Sequence, residues 1–132
     1  MANTYGYIGQ FKTDRPGVWE IDGYVSIGES GNPSLNTVPS GIVKSVTRNS
    51  TGNYTMTLQE NWYSMLYVNV KTMIPSGLSP QYVNCQMLNT NIGYSNVSNP
   101  VINFITNVSG TPTDPPAGSG LTYIVVLKNS SA

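Results

Sequence analysis

The chain has 132 residues, a length that suits one domain with a real core. Only 9% of them are charged, against a usual level of about 25%, and the net charge is zero. Such a surface gives little steering toward nucleic acid or anionic lipid, so neither is expected as a partner.

Asn, Ser, Thr, Gln and Tyr must therefore cover the outside. The missing charge also argues against disorder, whose signature is high net charge with low hydrophobicity. A neutral surface offers little colloidal repulsion and suits a protein held in an assembly.

The first forty residues hold four of the six acids: Asp14, Glu20, Asp22 and Glu29. Asp14-Arg15-Pro16-Gly17 reads as a turn, with Pro fixing φ and Gly free to take φ > 0. Val18-Trp19-Glu20-Ile21 and Tyr24-Val25-Ser26-Ile27 are strand-like and flank Asp22-Gly23. That dipeptide predicts a hairpin turn, with one long strand bulged at Gly23 as the competing reading. Gly28 to Ser34 reads as an open loop.

From Ser40-Gly41 the pattern becomes more regular. Ile42 to Thr47 is extended, Asn49 to Asn53 is a turn, and Tyr54 to Leu58 alternates with period two. This predicts a hairpin with Tyr54, Met56 and Leu58 on one face. Gln59 to Ser64 lacks alternation and reads as a loop or one helical turn. Met65 to Thr72 alternates again, with Leu66, Val68 and Val70 facing one way. Pro75 to Pro80 breaks the pattern. Tyr82 to Leu88 follows, with Val83, Cys85 and Met87 inward, and then Pro100 to Thr106, apolar on part of both faces. Gly110 to Gly120 is the clearest loop. Leu121 to Lys128 is the most apolar strand, so it should be central or well covered.

No helical period is long enough for a stable helix. The expected fold is all-β: a single antiparallel β-sandwich or jelly-roll-like domain with seven or eight short strands and little or no helix. Residues 1–40 are expected to form an N-terminal arm and hairpin, and residues 41–132 the sandwich.

Histidine is absent. That excludes a Ser-His-Asp triad, a Cys-His pair and any His-ligated metal site within this chain. No phosphate-binding glycine loop, dinucleotide fingerprint or EF-hand loop occurs. Cys85 is the one cysteine, so no intrachain disulfide can form, and it reads as a small buried apolar residue. Glu20 and Asp22 would share a face if their strand ran straight, the placement a hydrolase carboxylate pair uses. The blander reading puts Asp22 in the turn and Glu20 in water. Asp114 is expected to hydrogen-bond backbone N–H groups within its loop. No catalytic, cofactor-binding or metal-ligating residue is expected.

No secretory signal is visible at the N-terminus, and the longest apolar run, Ile124 to Leu127, is far too short to span a bilayer. Asn-x-Ser/Thr triplets begin at Asn49, Asn53, Asn96, Asn107 and Asn129. In a chain this rich in Asn, Ser and Thr, chance accounts for them.

Gly41-Ile42-Val43-Lys44-Ser45-Val46-Thr47-Arg48, a polar turn, and Gly52-Asn53-Tyr54-Thr55-Met56-Thr57-Leu58 form one recognisable stretch. Gly110-Thr111-Pro112-Thr113-Asp114-Pro115-Pro116-Ala117-Gly118-Ser119-Gly120 before an apolar strand forms a second. Together, over residues 41–128, they resemble small structural proteins of tailed bacteriophages, of the head-decoration or cement kind. The resemblance implies a non-enzymatic virion protein, made in the host cytoplasm, that binds the outside of the head and stabilises it. The implied partners are the major capsid protein and further copies of the chain, a trimer being the expected assembly. A tail, neck or fibre component is the alternative. A carbohydrate-binding β-module is the alternative from another class, because stacked aromatics on a β-face can bind sugars.

Tyr5, Tyr7, Phe11 and Trp19 are the candidate anchors for the capsid or subunit interface, since aromatic anchors dominate binding energy. Ordinary core packing is the competing reading for all four, most of all for Trp19.

Overall fold

A computed structural model describes residues 11–12, 17–35 and 42–129. The expected all-β fold is present. Eight strands of three or more residues and two of two residues build a pair of antiparallel sheets. The helical content of the described residues is one 3-10 turn, Glu29–Gly31.

The front sheet contains β1 (Phe11–Lys12), β2 (Val18–Ile27), β3 (Pro33–Leu35), β6 (Ser64–Met73) and β10 (Gly120–Lys128). β10 lies between β2 and β6, while β1 and β3 pair with β2. The back sheet contains β4 (Val43–Ser50), β5 (Asn53–Leu58), β7 (Asn84–Thr90), β8 (Val101–Val108) and β9 (Thr111–Pro112). Its order is β4-β5-β8-β7, with β9 on β8. The chain crosses repeatedly between sheets, and the late strands β8 and β10 insert between earlier ones. This is the nested connectivity of Greek-key sandwiches.

The core follows from period-two alternation. Ile21, Val25 and Ile27 of β2, Val70 of β6, and Leu121, Tyr123, Val125 and Leu127 of β10 point inward from the front sheet. Val43, Val46, Tyr54, Met56, Leu58, Ile102 and Phe104 meet them from the back. Tyr54 stacks on Phe104 across β5 and β8, with centroids 5.5 Å apart and planes at 8°. β10 is central, as its apolar sequence requires. Burying it between two neighbours removes the unpaired edge that would invite aggregation.

The structure corrects several readings. Asp22-Gly23 is not a turn: β2 runs straight through it, with Asp22 opposite Ile124 and Gly23 opposite Tyr123 in unbroken register. Nine consecutive pairings with β10 outweigh the local turn preference of two residues. Gly28 to Ser34 is not an open loop, since it holds the 3-10 turn and the start of β3. Leu66 does not face the core with Val68 and Val70. The register with β10 slips between Val126 and Leu127, so Met65 takes the inward place and Leu66 is exposed. A bulge of this kind inverts the face of every residue beyond it. Residues 18–35, grouped with the N-terminal arm in the sequence reading, supply β2 and β3 of the front sheet.

The long outer strands are all irregular. β4 slips twice against β5, β7 slips once against β8, and β6 carries the bulge at Leu66. Irregular edges resist the addition of another strand, which matters for a chain with so little charge to keep copies apart.

Candidate interaction surface

The sandwich has two unlike ends. At one end a single carboxylate fastens three elements. Asp114, in the loop after β9, accepts hydrogen bonds from Arg48 Nε at 3.1 Å and Arg48 Nη2 at 2.8 Å. It also accepts one from the Gly52 backbone N–H at 2.8 Å. The Tyr54 hydroxyl lies 3.3 Å from Asp114 Oδ1 and donates to the Gly31 carbonyl at 2.7 Å. Burial pushes the Asp114 carboxyl up, but the hydrogen bonds from Arg48 and Gly52 and the Arg48 charge outweigh it and hold the group below the ordinary carboxylate range. Burial raises the Tyr54 phenol, and the neighbouring carboxylate adds to this.

These groups are spent on one another. Asp114 does bond a backbone N–H, but that of the β4–β5 hairpin rather than of its own loop, and its main partner is Arg48. Gly31 makes room for its side chain, and Gly52 lets the hairpin approach the backbone of β8 and β9. A side chain on Gly31, at φ +75°, would meet the Asp114 side chain, and one on Gly52, at φ +68°, would meet the Thr106 carbonyl.

The opposite end is built from loops 59–63 and 91–100. Asn61 ties them together. Its Oδ1 accepts from the backbone N–H groups of Trp62 at 3.0 Å and Gly93 at 2.9 Å, and its Nδ2 donates to the Tyr94 carbonyl at 2.8 Å. Asn99 Nδ2 donates to the carbonyls of Leu58 and Gln59, at 3.3 and 2.7 Å. Asn91 Oδ1 accepts from Val101 N at 2.7 Å. These local amide bonds replace a strand ladder in holding the backbone. On this fixed frame Tyr63 and Tyr94 stand out into solvent, 56% and 67% exposed. Rigid tyrosines among Asn, Ser and Gly are a recurring composition of binding loops, because Tyr brings contact area with few rotatable bonds.

Beside them lies a cavity of about 230 Å³ lined by Trp19, Ile42, Glu60, Asn61, Trp62 and Asn129. Trp19 sits edge-on to Trp62, with centroids 6.4 Å apart at 65°. Trp62 is buried, and its indole Nε1 has no hydrogen-bond partner among the described residues. Trp19 packs against the core from the inward side of β2. Of the four anchors read from the sequence, it is the one whose side chain is described, and it lies mainly in packing. Tyr5 and Tyr7 lie outside the described residues, and Phe11 is placed by its backbone alone, opposite Ile21.

The sheet faces differ as well. Outside the back sheet a polar chain crosses all four main strands. Asn49 Nδ2 donates to Thr55 Oγ1 at 2.8 Å, Thr55 to Asn103 Oδ1 at 2.7 Å, and Asn103 Nδ2 to Asn89 Oδ1 at 2.7 Å. Outside the front sheet stand Glu20, Asp22 and Tyr24 of β2, Thr122, Ile124 and Val126 of β10, and Tyr67, Asn69, Lys71 and Met73 of β6. Glu20 and Asp22 do share a face, since β2 is straight.

Cys85 is half-buried against the core, and burial pushes its thiol up to about 12. That makes it a packing residue rather than a nucleophile at neutral pH. No group of three or more potential metal ligands occurs among the described residues. None of the described helices is long and apolar enough to cross a membrane. The signal for the Tyr63 and Tyr94 surface was present in the sequence as Asn91-Ile92-Gly93-Tyr94-Ser95-Asn96, but nothing local says which tyrosines are buried and which are presented. No protein-family model, no curated protein and no solved structure matches this chain.

Proposed function

We propose that this chain is a virion structural protein that decorates the outside of a phage head, bound to the major capsid protein and present in several copies. The observation that carries this reading is the loop end of the sandwich. Tyr63 and Tyr94 project from a frame fixed by Asn61 and Asn99, beside the Trp19–Trp62 pair. A surface ordered in advance loses little entropy on binding, and exposed tyrosines gain affinity by burial without charge. That suits repeated attachment to a lattice. The phage assignment itself rests on the sequence resemblance.

The carbohydrate-binding alternative has less to stand on. The Asn61 amide beside the cavity is committed to the protein backbone, and Trp62 is buried edge-on to Trp19 instead of presenting a flat stacking face.

The test is binding to purified heads that lack the protein. Tyr63→Ala combined with Tyr94→Ala should weaken binding at least about tenfold, as expected for the loss of anchor residues, with the melting temperature little changed. Undiminished binding would remove the loop end as the attachment surface. Deletion of residues 2–12 in parallel measures the contribution of Tyr5, Tyr7 and Phe11. Failure of the intact protein to bind any head preparation, with a location on tails or fibres by labelling, would move the chain to the tail or fibre class.

A further inference from the structure

We infer that the outer face of the front sheet is a self-association surface, on which two copies pair face to face about a two-fold axis parallel to β10.

β10 is apolar on both sides. Its inward residues fill the core, while Ile124 and Val126 stand on the outer face in the middle of the sheet, with Ile124 39% exposed. Strands with this pattern occur where both faces are covered. The outer face of β8 in the back sheet also carries Val101 and Ile105, but the Asn49–Thr55–Asn103–Asn89 chain runs across the sheet between them and breaks the apolar surface. Pairing through edges is resisted by the register slips in β4, β6 and β7. The open apolar centre of the front sheet is what remains to be covered.

Charge placement selects the occupant. The acids lie on β2 and Lys71 on β6, on opposite flanks of β10, while Lys128 stands at the far end of β10 itself. In register, Asp22 shares its row with Ile124 and Asn69, and Lys71 shares the next row with Thr122 and Tyr24. Glu20 lies in the row of Val126, one row farther from Lys71, so Asp22 is the nearer acid. A two-fold axis along β10 exchanges left and right flanks between facing copies. It lays β2 of one copy over β6 of the other. Asp22 then faces the β6 flank of its partner one row from Lys71, about 6.7 Å along the strand, within reach of a lysine side chain. Ile124 falls near the axis and meets its own equivalent. An axis across the strands would set acid against acid. The surface is thus complementary to a second copy of itself in one orientation, as an isologous interface requires.

Three strands about 30 Å long at about 4.8 Å spacing present roughly 400 Å² of flat area per copy, below the usual 800 Å². The pair is therefore weak and concentration-dependent in solution, and is strengthened where copies are held close together. This inference shares with the proposed function only the presence of several copies. It is tested without capsids, so its failure would leave shell binding untouched. It also replaces the three-fold assembly that the resemblance implies with a two-fold contact.

Sedimentation velocity over about a hundredfold range of concentration should show a monomer–dimer equilibrium. Asp22→Lys should weaken it about tenfold, and adding Lys71→Asp should restore it, because both contacts are then reversed together. Under mild oxidation Ile124→Cys should trap a covalent dimer, while Asn89→Cys on the back sheet should not. A monomer at every concentration, a trimer, cross-linking that is equal from both positions, or a charge reversal that fails to restore pairing would each overturn the proposal.

Discussion

The Arg48 guanidinium holds the Asp114 carboxylate through both Nε and Nη2, across 66 positions of sequence. The contact joins β4 to the loop that delivers β10. Its side chains are 23% and 18% exposed, enough to be sheltered but not dry. Removing the carboxylate strands the Gly52 N–H and frees the loop. Asp114→Ala should therefore destabilise the fold by about 2–3 kcal/mol, read by denaturant unfolding. A change below 0.5 kcal/mol would mean that the loop is held by its packing alone.

The same carboxylate sets an acid limit. Its folded pKa lies below the unfolded value of about 3.9, so the stability it contributes is present above that value and is lost as pH falls through the folded one. The melting temperature of the native chain should drop steeply on acidification below about pH 4. In Asp114→Asn the slope should be shallower, with a lower plateau at neutral pH. Parallel curves for the two proteins would contradict this.

Tyr54 sets the opposite limit. It is fully buried, donates to Gly31 and has its phenol raised chiefly by burial. A raised pKa favours the protonated form on folding. Its contribution is whole below the unfolded value of about 10 and fades as pH rises toward the folded one. Tyr54→Phe keeps the stack on Phe104 but loses the hydrogen bond, at a cost of about 1–2 kcal/mol at neutral pH. The variant should also lose stability less steeply than the native chain above about pH 10. Ultraviolet difference titration during unfolding would follow both effects.

Cys85 offers a test of packing. With its thiol pushed up to about 12, against about 8.5 for a free cysteine, its thiolate fraction at pH 8 is lower on the order of a thousandfold. A thiol reagent should label the native protein far more slowly than the urea-unfolded chain. Rapid labelling of the native state would mean that β7 opens readily from the core.

The alternation of residues such as Tyr54, Met56 and Leu58, or Tyr123, Val125 and Leu127, was enough to name the strands and their buried faces. In a strand the side of the sheet is set by a local period of two. The absence of histidine was likewise decisive from the sequence alone, because composition bounds chemistry before any folding is considered. The straight passage of β2 through Asp22-Gly23 was not legible, because the turn preference is local and the pairing with β10 that overrides it comes from about a hundred residues away. The exposure of Leu66 depended on a slip against Leu127, which no pattern within β6 records. The Arg48–Asp114 ion pair has no local signature, because it depends on where two remote stretches of backbone end. The presentation of Tyr63 and Tyr94 was decided by Asn61 and Asn99, whose amides bond backbone about thirty to forty positions distant. The sequence by itself determined most of the strands, the faces they bury and the exclusion of histidine chemistry. Only the tertiary structure decided which polar groups meet and which aromatics stand outside, since both depend on contacts between segments remote in the chain.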